Sequence, residues 1–219
     1  MNQTLSTIVR TVVAAATLSA VALAAHAQGN VEAGKQKAEM CIGCHGIPGY
    51  QNSFPEIHKV PKISGQTAQY IVASLSAYKK GDRKHPSMRG IAGSLSDEDM
   101  ADLGAFYASH ANTTAPESPR APSVEVAALL ERGACASCHG ANFSKPIDPS
   151  YPKLGGQHAD YLFVALKSYT VEGNNVVGRS NPIMGGIAKQ FSPAEMRQMA
   201  RYLSTVEGEL RTVPQSRFR

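Results

Sequence analysis

The chain contains no tryptophan, only four cysteines and only 6% aromatic residues in a length of 219. Neither sign of charge dominates: 22 Lys and Arg against 17 Asp and Glu leave +5, distributed along the chain. So small an excess gives no continuous basic face for a phosphate backbone, and no nucleic-acid partner is expected. Long alternations of apolar and polar residues are also missing, which argues against a sheet-based fold. What remains is 42% hydrophobic, a composition that excludes a disordered or collagen-like chain. At ordinary domain sizes, 219 residues suit one domain or two small ones. Two small units poor in aromatics would each bury little area per residue, so something besides side chains is expected to complete their cores.

Apolar runs are scarce as well. One, from Thr11 to Ala25, follows a start whose only charge is Arg10 and ends in Ala25-His26-Ala27. A charged start, a short apolar stretch and a small-x-small end make a secretory signal, and the run is too short to span a bilayer. Residues 1–27 therefore read as a signal peptide, cleaved after Ala27. In a bacterium, export places the mature chain in the periplasm, where free thiols do not persist.

All four cysteines fall in two identical patterns, Cys41-Ile42-Gly43-Cys44-His45 and Cys135-Ala136-Ser137-Cys138-His139. Two thiols three positions apart on a helical turn project to one side, and the adjacent His can then reach a metal. This is the attachment signature of haem c: the Cys pair bonds the macrocycle edge and the His takes one axial position of the iron. A thioredoxin-like pair would need a strand-to-helix setting that the chain does not offer. A zinc site does not call for His directly after the second Cys in both pairs, and a disulfide across two residues would stabilise little. Two covalent haem c groups are expected, with Cys41, Cys44, Cys135 and Cys138 as attachment points and His45 and His139 as iron ligands.

The rest of the chain repeats with the cysteines. Pro61-Lys62-Ile63-Ser64-Gly65-Gln66 matches Pro152-Lys153-Leu154-Gly155-Gly156-Gln157, and Tyr70, Leu75 and Tyr78 match Tyr161, Leu166 and Tyr169. Met88-Arg89-Gly90-Ile91-Ala92 matches Met184-Gly185-Gly186-Ile187-Ala188. The offsets are 94, 91 and 96 at the Cys, Pro-Lys and Met motifs, so the two copies differ by loop insertions. Pro116, Pro119 and Pro122 mark an extended linker between them. The organisation reads as domain 1 at 28–112, a linker at 113–124, domain 2 at 125–208 and a basic tail at 209–219. Arg211, Arg217 and Arg219 make that tail a solvated segment by expectation, with docking to an acidic partner as the rival reading.

The fold class is all-α. Helices are expected to start near Asn30 and Ser123 as N-caps, at about Gln66 and Gln157, and at Ser96 and Ser192. Ser96 is followed by Asp97, Glu98 and Asp99, and Ser192 by Pro193, both helix-opening signals. Met100, Met196 and Met199 sit on apolar faces of those last helices and read as core filling.

Met88 and Met184 lie 43 and 45 residues after their His, in Gly- and Pro-containing segments read as loops. A soft thioether so placed is the candidate second axial ligand of each iron. His85, three residues before Met88, competes, but the second copy has Asn181 at the matching position. His58, His110 and His158 have no repeated counterpart and read as solvated loop residues. A ligating His donates its other ring N–H, and the Pro61 and Pro152 carbonyls are candidate acceptors, a simple turn before a helix being the alternative role of these prolines.

This ordered set of motifs, over residues 28 to 208, resembles the dihaem cytochromes c4, which are tandem class I cytochromes c. The resemblance implies two helical domains facing each other about a pseudo-twofold axis, with the haems close to their interface. It implies Cys41, Cys44, His45 and Met88 at one haem, Cys135, Cys138, His139 and Met184 at the other, and Gly65, Gln66, Gly156 and Gln157 near the macrocycles. It also implies a periplasmic electron carrier, not an enzyme, with possible peripheral membrane association. Electrons would come from a quinol-oxidising complex and go to a terminal oxidase or reductase. The same motifs are shared by the dihaem subunit of flavocytochrome c sulfide dehydrogenase, so a bound acceptor subunit is the alternative. A dihaem peroxidase would need an open iron, against which the matched Met pair argues.

Overall fold

The computed structural model describes residues 29–111 and 121–214. The expected signal segment, most of the expected linker, Arg217 and Arg219 lie outside the described residues.

The first unit opens with α1 (Val31–Lys37), whose N-cap Asn30 accepts a hydrogen bond from Ala33 N at 2.9 Å. Helix α2 (Glu39–His45) carries the first Cys-x-x-Cys-His motif. Two residue pairs, β1 (Gln51–Asn52) and β2 (His58–Lys59), form a small antiparallel ladder. Helix α3 (Ala68–Lys80) starts at Thr67, whose hydroxyl accepts from Tyr70 N, and stops at Gly81 in the left-handed region. After β3 (Arg83–Lys84) come α4 (Pro86–Gly93) and α5 (Asp97–Ala108). A reciprocal capping box between Ser96 and Asp99 opens α5.

The second unit repeats the plan with α6 (Val124–Arg132), α7 (Cys135–His139), α8 (Ala159–Ser168), β4 (Gly178–Arg179), α9 (Pro182–Ala188) and α10 (Pro193–Thr205). Ser123 caps α6, and a Ser192–Glu195 capping box with Pro193 in the first turn opens α10. No helix among the described residues is long and apolar enough to cross a membrane.

Each unit has its own core. Helix α5 lies across α1 and α3, burying Met100, Leu103 and Phe106, and α10 lies across α8 and α6, burying Met196, Met199 and Leu203. The three Met expected as filler are filler. Where α1 crosses α5, Gly34 removes the side chain so that the backbones meet: a Cβ there would overlap the Asp102 carbonyl. Asp102 pins both ends of α1, accepting from Asn30 N and from Lys37 Nζ, each at 2.6 Å.

Several local expectations are corrected. The strand pairs are two residues long, too short for any alternation to betray them, and β3 pairs with β4 across the two units. Helices α3 and α8 begin at Ala68 and Ala159, close to the expected starts, with Thr67 and His158 at the N-cap positions. Met88 and Met184 are not in loops. Each is the third residue of a short helix whose Pro occupies the first position, where its missing N–H costs nothing. His58 is buried, not solvated, with Nδ1–H donating to the Glu56 carbonyl at 2.8 Å. Nor is the start of the tail free: Arg211 N donates to Ser64 O at 3.0 Å, fastening that residue to the first unit.

The units meet through their repeated Pro-Lys motifs. Gln157 accepts from Lys62 N at 3.0 Å and donates to Lys62 O at 2.9 Å, as one strand residue would to another. Gln66 does the same to Lys153, at 2.9 and 3.2 Å. Lys62 Nζ donates to Gly156 O at 2.6 Å and Lys153 Nζ to Gly65 O at 2.7 Å. Ion pairs Lys59–Asp160 (3.2 Å) and Lys167–Glu56 (2.8 Å) flank this reciprocal junction.

Candidate cofactor site

Helices α2 and α7 each present two thiols and a His on successive turns, and α4 and α9 each present one Met. All eight side chains line a single cavity of about 690 Å³ with walls from both units. None of the thiols is paired in a disulfide. Burial pushes the Cys41 and Cys135 thiols above their ordinary range. Among the described residues no group of three His, Cys, Asp or Glu side chains is arranged to hold a bare metal ion.

Both motif histidines are oriented alike. His45 Nδ1 lies 2.8 Å from Pro61 O, and His139 Nδ1 lies 2.9 Å from Pro152 O. A carbonyl can only accept, so each Nδ1 carries the proton and each Nε2 keeps its lone pair. Burial lowers both imidazole pKa values, outweighing the opposing pull of the carbonyls, which keeps the rings neutral and able to ligate. The second-side candidates are equally matched. Met184 N donates to the Asn181 side chain at 2.9 Å, and Met88 N to His85 Nδ1 at 3.5 Å. His85 and Asn181 are thus counterparts as N-caps. With Nδ1 accepting from Met88 N, the neutral ring carries its proton on Nε2, which lies 3.3 Å from Asn52 Nδ2.

Pro61, Pro152, Gln66 and Gln157 line the cavity as well as the junction. Gly65 and Gly156 stand apart from its wall and serve as acceptors for the opposite lysines. Two groups were missed by sequence reasoning. Arg83 and Arg179 line the cavity, each donating to a tyrosine hydroxyl, Tyr70 at 2.6 Å and Tyr161 at 3.1 Å. The signal existed: the arginines repeat at the offset of 96 that also relates Met88 to Met184.

The cavity fits a large flat group with both apolar and polar edges. Its walls carry Ile71, Leu75, Leu103, Leu162 and Leu203. Two hydroxyls on the same walls, Ser74 Oγ and Tyr107 Oη, are buried without a partner at ordinary hydrogen-bond geometry, Ser74 interacting with Tyr70 and Tyr107 with the Cys41 thiol. Such orphans inside a native structure mark a missing ligand or water.

Comparison with known proteins agrees with this geometry. The family described as "Cytochrome c" matches twice, at residues 31–111 and 123–207. Cytochrome c4 of Azotobacter vinelandii is 32% identical over 196 residues, covering 82% of this chain and 90% of that protein. A thiosulfate dehydrogenase electron acceptor of Stutzerimonas stutzeri is 31% identical, covering 89% of this chain and 92% of its own length. The crystal structure of reduced cytochrome c4 from Pseudomonas stutzeri superposes with a TM-score of 0.59 at 27% identity, over 82% of this chain and all of that one.

Proposed function

The chain belongs to the dihaem cytochrome c4 family, and from that premise we propose that it carries electrons in the periplasm from a quinol-oxidising complex to a terminal oxidase or reductase. It is an electron carrier and not an enzyme, with two covalently bound haem c groups. When bound, haem c supplies a one-electron couple between ferric and ferrous iron. Cys41 and Cys44 would anchor one haem, with His45 and Met88 as the side chains that would hold its iron; Cys135, Cys138, His139 and Met184 would do the same for the other.

The observation that carries the proposal is the matched pair of half-sites facing one cavity. The Pro61 and Pro152 carbonyls fix the tautomer and tilt of their histidines. His85 and Asn181 hold the first turns of the Met helices, so each thioether is presented from a capped, Pro-started turn. Were His and Met both to hold each iron, no position would remain for a substrate, and one shared cavity would favour exchange within the molecule.

An optical redox titration of the holoprotein tests this directly. It should count two haems and two one-electron steps. Met184→Ala should remove the sulfur-to-iron band of one haem and lower one potential; an unchanged ferric spectrum would show that another group ligates that iron.

Similarity to thiosulfate dehydrogenase electron acceptors supports a second reading, a carrier dedicated to a sulfur-compound dehydrogenase. Co-purification of such a dehydrogenase at fixed stoichiometry would favour it over the quinol-linked carrier.

A further inference from the structure

The two half-sites share their thiols, histidines and methionines but not their hydroxyls. Ser74 and Tyr107 line the cavity from the first unit. The offset of 91 that relates Tyr70 to Tyr161 pairs Ser74 with Ala165, and the offset of 96 that relates Met100 to Met196 pairs Tyr107 with Leu203. Tyr107 on α5 is 5% exposed and Leu203 on α10 is 4% exposed, so the two occupy equally buried places on the same wall. Ser74 directs its hydroxyl to Tyr70 on its own helix, whereas Tyr107 faces the Cys41 thiol.

Packing fixes the Tyr107 ring. It meets Phe106 and His110 edge-on, with ring centroids 5.1 and 6.2 Å apart, and its backbone carbonyl accepts from Gly65 N at 2.9 Å. Burial and the neighbouring thiol push the phenol far above its ordinary range, so it stays a neutral O–H. The direction of that O–H follows from the chemistry of the sulfur beside it. A thiol can donate or accept, but a thioether has no hydrogen to give and can only accept. Cys41 is assigned above as an attachment point of the first haem, and a sulfur so bonded leaves the tyrosine as the donor. The positive end of its dipole then faces the macrocycle edge. A dipole held in place by packing inside a buried site is weakly screened and needs no reorganisation when charge changes nearby.

Resting on that reading, we propose that Tyr107 donates its hydroxyl hydrogen toward the Cys41 sulfur and so raises the reduction potential of the first haem, an influence that Leu203 cannot exert on the second. The ferric state carries one more positive charge than the ferrous, and the positive end of a dipole disfavours it. The field of a dipole falls more steeply with distance than that of a charge, so the effect stays with the nearer haem. Two half-sites with the same ligand set are thereby made unequal through a residue outside that set.

The test uses full-length holoprotein, first assayed for two haems per chain by pyridine haemochrome. A count below two in the unaltered protein would overturn the dihaem reading itself, whatever Tyr107 does. Tyr107→Phe removes the hydroxyl and keeps the ring. In an optical redox titration it should lower one midpoint potential and leave the other in place, with the sulfur-to-iron bands of both haems intact. Tyr107→Leu, which copies the residue that the second unit holds at this place, should lower the same potential. Unchanged potentials in Tyr107→Phe, a rise, an equal shift of both haems or the loss of a sulfur-to-iron band would overturn the proposal. A shift in Tyr107→Leu with none in Tyr107→Phe would assign the effect to ring packing and overturn it too. If Tyr107→Phe does not retain two haems, Tyr107→Leu decides by the same titration. Loss of haem in both variants would make Tyr107 an assembly residue and refute the dipole.

Discussion

The reciprocal glutamine bonds allow a sharp test of what holds the units together. Gln157 is 4% exposed and spends its amide on Lys62 N and Lys62 O, with His158 N as a third partner at 3.0 Å. Gln157→Leu keeps nearly the same volume, so it removes the hydrogen bonds without opening a cavity. It leaves the backbone N–H and carbonyl of Lys62 and the backbone N–H of His158 without partners. An unsatisfied buried group costs about 1–3 kcal/mol. Lys62 and His158 are only half-buried, and water can reach part of their backbone, so the lower end applies to each group. The expected loss is about 3 kcal/mol. Equilibrium unfolding of the holoprotein in guanidinium chloride should show it as a lower midpoint with an unchanged slope. Gln66→Leu should cost a similar amount, because its bonds to Lys153 mirror those of Gln157. Gln190→Leu, an exposed amide reaching Gly186 O at 3.3 Å, is the control and should be silent. A loss below about 0.5 kcal/mol for Gln157→Leu would mean that water replaces these bonds, and the junction would need another explanation.

The repeat was legible because its two copies fix the same chemistry at matched positions, and the caps were legible because Ser96, Ser123 and Ser192 act through local backbone donors. The His–Pro bonds were foreseeable for a related reason: a ligating His needs an acceptor, and the repeat offers few rigid carbonyls. The Pro-Lys-x-x-Gly-Gln motif was found but only half understood. Its Gln and Lys act on the other unit, 87 to 95 positions away, and no local pattern encodes a partner at that distance. The Met segments read as loops because Gly and Pro weaken a helix interior; in the structure Pro starts the helix, and the side chain before it supplies the cap. Arg83 and Arg179 escaped for a different reason. A repeated arginine without a repeated acid looks like surface charge, and only burial beside tyrosines turns it into a site. His58 escaped because it is single, and reasoning from duplication is blind to what one copy alone contains.

Two further predictions concern the first unit. Gly34→Ala would gain about 1 kcal/mol of helix propensity, but its Cβ overlaps the Asp102 carbonyl, and the overpacking, about 1–3 kcal/mol, should win; the thermal midpoint should fall. Gly93→Ala, with nothing within 4 Å of its added Cβ, should leave the midpoint unchanged or raise it, and equal behaviour of the two variants would refute the crossing argument. Asp102 provides the pH dependence. Burial pushes its carboxyl up, but the Lys37 ammonium and the Asn30 N–H outweigh burial and hold it below the ordinary aspartate range. A folded-state pKa below the unfolded value means that the carboxylate stabilises the fold fully above about pH 4 and loses that contribution as pH falls through the folded value. Asp102→Asn, which keeps the shape and removes the charge, should therefore be less stable than the parent by a constant margin between about pH 7 and about pH 5. Urea midpoints of the two proteins should then converge as the pH drops below about pH 4. A margin that persists in acid would assign the role of Asp102 to hydrogen-bond shape, because protonation would already have removed the charge from the parent.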